Sequence, residues 1–139
     1  MKTRLRDIPT RLATGAYILH SGVTKLSAGP EQAAGFHHAA TSAFPALGRM
    51  SDSGFLRSLA IGEIAVGSLL LMPFVPASIA GAALTAFSSG LVGMYLRTPA
   101  LRKPGSVWPS PAGTAISKDV WMLGIGLGLL VGAAEDRSS

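Results

Sequence analysis

The sequence predicts an all-α integral membrane protein: a four-helix bundle with a partly helical interfacial segment between its first and second long helices. Three observations predict it. Of 139 residues, 48% are hydrophobic and 14% charged, with a mean hydropathy of +0.42, too apolar for an ordinary water-soluble domain of that size. The run from Phe55 to Leu96 exceeds the roughly 20 apolar residues that cross a bilayer once, and Pro73 and Pro76 divide it into a hairpin. The net charge of +5 and pI near 10.3 come from basic residues at segment ends. These read as membrane anchors, not as a basic stripe interleaved with aromatics, so no nucleic-acid partner is expected.

The whole chain, 1–139, reads as one membrane domain. Helices are predicted over 8–26, 55–72, 76–96 and 117–134. The basic start MKTRLRDIPTRL followed by ATGAYIL has a superficial look of a signal peptide, but Arg11 and His20 interrupt the apolar part and no A-x-A site follows. It is read as a retained first helix, opened by Pro9 where a missing N–H costs nothing. Along it Arg11, Thr14, Ser21 and Lys25 fall on one stripe, while His20 points elsewhere. That stripe is expected to face other helices, or to let Arg11 and Lys25 reach the two interfaces.

The segment 30–50, between AGPEQ and SDSG, is too polar to span and is read as interfacial or re-entrant, kinked or ended by Pro45. His37 and His38 are adjacent, hence about 100° apart on a helix, and no third ligand stands at metal-binding spacing. No metal site is expected. The short Pro73–Pro76 connection makes its two helices antiparallel neighbours. Gly81, Thr85, Ser89 and Gly93 form one small-residue ridge, and Gly124, Gly128 and Gly132 another; both are read as helix contacts. Loop 97–116, with four prolines, is expected to be irregular, with Trp108 as an interfacial anchor. Ser117 is the expected N-cap of the last helix, with Asp119 in its first turn.

Four helices place both termini on one side. The basic N-terminal cluster favours the cytoplasmic side, although charges at the two ends nearly balance. Glu63, the lone acid of the hairpin, lies roughly 12 Å below the loop-side end of its helix at 1.5 Å per residue, and His20 and Ser21 come to roughly 8 to 9 Å on the first helix. A polar cluster is therefore predicted from Glu63, His20, Ser21, Lys25, Lys118 and Asp119. It is either a hydrogen-bonded knot that fixes helix register or a functional site. The 27–54 segment is placed to cap whatever pocket Glu63 lines.

Arg11-x3-Gly15, Gly22-x2-Lys25-Leu26, Gly62-Glu63-x3-Gly67 and Lys118-Asp119 together resemble the DoxX-like family, small four-helix bacterial membrane proteins. The resemblance covers nearly the whole chain. It implies a redox setting: some relatives are subunits of a thiosulfate:quinone oxidoreductase, and others accompany oxidative-stress enzymes at the membrane. The absence of cysteine separates this chain from the methylamine-utilisation branch and excludes disulfides, thiolate metal sites and cysteine nucleophiles. Three functions are then in view. The first is an accessory subunit or assembly partner of a redox complex in the inner membrane, contacting lipid and other subunits or its own copies, with no covalent cofactor but adjoining a quinone or lipid. The second is a stand-alone carrier of a small solute or proton using Glu63 and His20. The third is an enzyme with Glu63 as base, for which no nucleophile or phosphate-loop motif is present.

Overall fold

The computed structural model describes residues 3–139; Lys2 of the basic start lies outside them. The described residues form helices α1 (Ile8–Leu26), α2 (Pro30–Ala43), α3 (Asp52–Leu71), α4 (Ala77–Arg97), α5 (Thr114–Ser117) and α6 (Asp119–Ser138), with short 3-10 turns at Leu5–Asp7, Pro45–Arg49 and Pro99–Leu101. Three stretches, Asp52–Leu71, Ala77–Arg97 and Thr114–Ser138, are long and apolar enough to cross a membrane. Helix α1 is of similar length, but Arg11, His20 and Lys25 make it less apolar, so three of the four expected spans meet that measure.

Helix ends follow local chemistry. Helix α3 starts at Asp52, earlier than the apolar run, because the Ser51 hydroxyl accepts from the Gly54 N–H at 3.0 Å and caps it. Ser117 is not a cap: the backbone is already helical there, its hydroxyl donates to the Thr114 carbonyl at 2.8 Å, and α6 follows after a single turn residue, Lys118, whose carbonyl accepts from the Trp121 N–H at 2.9 Å. Helix α6 continues past 134 to Ser138. Its terminal Asp136 receives Arg4 at 2.6 Å and Arg6 at 3.0 Å, and Arg6 also donates to the Gly132 carbonyl at 3.0 Å. That clasp joins the two ends of the chain on one side of the molecule.

The long helices form two antiparallel pairs, α1 on α3 and α4 on α6, joined by the α3–α4 hairpin. In the first pair the backbones touch. A Cβ at Gly67 would lie 2.7 Å from the Leu19 nitrogen and one at Gly15 3.1 Å from the Gly67 carbonyl, so only glycine fits. In the second pair Gly81 and Thr85 of α4 meet Gly126 of α6. This corrects the two ridges read from the sequence: Gly124 and Gly128 have nothing within 4 Å, Ser89 is exposed, and Gly93 meets only the Phe44 ring. Spacing of four marked Gly124, Gly128 and Gly132 on α6, whereas packing against α4 uses Gly126, which stands off that ridge. Between the pairs lies a core of Ile18, Val66, Leu70, Ala80, Leu84 and Leu129.

Helix α2 lies against α3 and α4, its Ala40 and Ala43 packed with Phe44, Leu47, Leu91 and Met94. The 97–116 loop is more ordered than its prolines predict. The Lys103 N–H donates to the Trp108 carbonyl at 2.8 Å, the Ser110 N–H to Leu101 at 3.0 Å, and the Tyr95 hydroxyl to Val107 at 2.5 Å, while Gly105 supplies the left-handed turn at φ 67°. Trp108 stands exposed at its tip.

Candidate functional site

At the turn end of the pair, Arg11 reaches from α1 into the α3–α4 connection. Helix α3 ends in a turn too short to pair its last carbonyls. The guanidinium answers them, donating to Leu69 at 3.0 Å, Leu70 at 2.8 Å, Met72 at 2.9 Å and Val75 at 2.9 Å. Arg11 is 2% exposed, and the negative end of the α3 dipole offsets its charge. Of the two sequence expectations for the stripe, facing other helices is the one this side chain follows.

The candidate site lies toward the opposite end. Lys25, in the last turn of α1, donates to both carboxylate oxygens of Glu63 at 3.0 Å and to the Ser21 hydroxyl at 2.7 Å. Glu63 is buried at 6% exposure. Gly22 makes this approach available, since a Cβ there would sit 3.0 Å from the Glu63 Cβ and 2.9 Å from the Ala60 carbonyl. The pair borders a cavity of about 230 Å³ between the two helix pairs, walled by Phe55, Leu59, Phe87, Leu91 and Met122. Asp119 of α6 lines the same cavity and, among the described residues, has no hydrogen-bond or ion-pair partner. Phe36 of α2 closes it from above, with the Lys25 ammonium 5.4 Å from its ring centre, and Tyr17 stands 75% exposed at its rim.

The structure thus brings together Glu63, Ser21, Lys25 and Asp119. His20 and Lys118 it does not: both are exposed and neither lines the cavity. The step of about 100° per residue carries His20, next to Ser21, to the outer face of α1, as its place off the stripe implied.

Sequence reasoning missed the role of His37. Its buried ring is held between two acceptors, with Nδ1 2.6 Å from an Asp52 carboxylate oxygen and Nε2 2.7 Å from the Leu47 carbonyl, and it stacks on Phe55 at 5.1 Å. Both nitrogens therefore hold a proton when the ring is charged, and the Leu47 carbonyl first, then Asp52, raises its pKa. His38 is exposed. Among the described residues no group of three or more His, Cys, Asp or Glu is placed to hold a metal ion. His37 thereby fastens α2 to the start of α3.

Fold and site together define an all-helical protein with three membrane-length apolar helices and an amphipathic cavity between helix pairs. No protein-family model, curated protein or solved structure matches the chain.

Proposed function

We propose that the chain is a DoxX-like, multi-pass protein of the bacterial inner membrane, with four spanning helices and cytoplasmic termini. In this reading it serves as a non-catalytic accessory subunit or assembly partner of a membrane-associated redox complex, its cavity adjoining a quinone or lipid.

One observation carries the reading. Six of the residues on which the family resemblance rests build one seam: Arg11 closes the α3 end, Gly15, Gly22 and Gly67 set the α1–α3 distance, and Lys25 meets Glu63 at its far end. Membrane placement is supported by the outward faces. Only 11% of the apolar window of Thr114–Ser138 is buried within the chain, and Trp121, Leu127 and Val131 point away from it. The fully engaged Lys25–Glu63 pair favours a scaffold role over base catalysis, and the carrier reading loses its histidine because His20 lies on the outer face.

Extraction in a mild non-ionic detergent, followed by mass spectrometry of what co-migrates, tests the partnership. A larger assembly containing a redox enzyme is the expected result; migration as a lone chain or as homo-oligomers overturns it.

A further inference from the structure

We propose that the cavity between the two helix pairs binds an organic ammonium ion carrying an apolar group of about one ring's size. The inference goes beyond the redox partnership and does not rest on it; it follows from what the lining can and cannot offer. Three charged side chains border the cavity: Lys25, Glu63 and Asp119. Asp52, Arg57, Arg97 and Lys118, at the same end, are exposed and do not line it. An ammonium has three N–H donors, and all three of Lys25 are engaged, two by Glu63 and one by Ser21. The positive charge is therefore matched, and the ammonium has no N–H left for a ligand. Asp119 remains as an acceptor facing the cavity without a partner among the described residues. The site is thus an acceptor with an excess negative charge, and it selects a donor that brings a positive one.

The walls define the rest of the ligand. Phe36, Phe55 and Phe87 present aromatic surface, and Lys25 already lies over the Phe36 ring, so these residues accept a cation's field as well as an apolar group. A cavity of about 150 Å³ holds benzene, so about 230 Å³ holds one ring with a short ammonium arm. The ammonium has two sources, a free amine or the headgroup of an ethanolamine lipid arriving past Tyr17.

The test is calorimetric titration of benzylammonium chloride into the full chain in a maltoside detergent, which carries no charge. Saturable one-site binding is expected, with Asp119→Asn weakening it tenfold or more and neutral benzyl alcohol failing to bind. Leu91→Trp, which fills the cavity and leaves every charge in place, abolishes binding. Circular dichroism melts confirm that both variants are folded, and Glu31→Gln, an exposed acid outside the cavity, leaves affinity unchanged. The proposal falls if benzyl alcohol binds as tightly as benzylammonium, or if either folded cavity variant keeps native affinity. Displacement of benzylammonium by added phosphatidylethanolamine identifies the lipid headgroup as the source, and its absence identifies a free amine; both outcomes support an ammonium site.

Discussion

Arg11 donates from its Nε to the carbonyl of Leu70 at 2.8 Å, so a cation in the first helix terminates the first membrane-length segment of the chain. The remaining guanidinium donors take three more carbonyls of the same turn. Arg11→Ala leaves the Leu69, Leu70 and Val75 carbonyls unpaired, Met72 keeping the Val75 N–H, and is expected to destabilise by about 3 kcal/mol or more, at roughly 1–3 kcal/mol for each buried unsatisfied group. Arg11→Lys recovers little, since a point charge cannot serve four diverging carbonyls. Thermal melts in detergent check this, and a melt unchanged in Arg11→Ala removes the capping role.

Lys25 and Glu63 distinguish a structural pair from an incidental one. Lys25→Met strands a buried carboxylate, with an expected loss of about 3–5 kcal/mol. The double variant Lys25→Met/Glu63→Met replaces the pair by apolar side chains of similar length and is expected to return most of that loss. Denaturant melts of the two singles and the double complete the cycle. Full additivity would show that the contact is energetically inert.

The α4–α6 contact gives a positional prediction. Gly126→Ala places a methyl 2.5 Å from the Thr85 hydroxyl and 2.9 Å from its backbone nitrogen, and is expected to cost about 1–3 kcal/mol as overpacking. Gly124→Ala and Gly128→Ala meet nothing within 4 Å and are expected to be neutral or slightly stabilising, since alanine is the better helix former. Equal losses at all three positions would contradict this packing.

His37 predicts a pH dependence. Its folded pKa is raised above the ordinary 6.5, chiefly by the Leu47 carbonyl and then by Asp52. The proton is bound more tightly in the folded state, so the stabilisation is complete below about pH 6.5 and disappears as pH rises through the raised folded value. Melting temperature should fall across that window in the native chain and stay flat in His37→Phe. Because His37 fastens α2, hydrogen exchange in α2 should quicken over the same range. A native melting curve that rises with pH there would exclude the charged latch.

The sequence alone determined the helical character, the hairpin at Pro73–Pro76 and the bounds of α1, because apolar length, proline and charge act locally. It also placed His20 and Ser21 near the level of Glu63, with Lys25 above them, since helical rise converts residue number into height. Rotation was harder to read. Small residues at steps of four described two ridges, yet Gly126, which stands off the α6 ridge, makes the contact, because a close approach needs a glycine only where the partner's Gly81 and Thr85 meet the helix. The ends of α3 and α6 moved outward for a related reason: a serine cap and an arginine clasp, not hydropathy, set them. Tertiary structure alone decided that Arg11 would cap a helix 59 residues away, that His20 would face outward, and that Asp119 would remain unpaired beside the cavity. Each depends on which groups are left without partners once the helices have packed, and that is a property of the assembled fold.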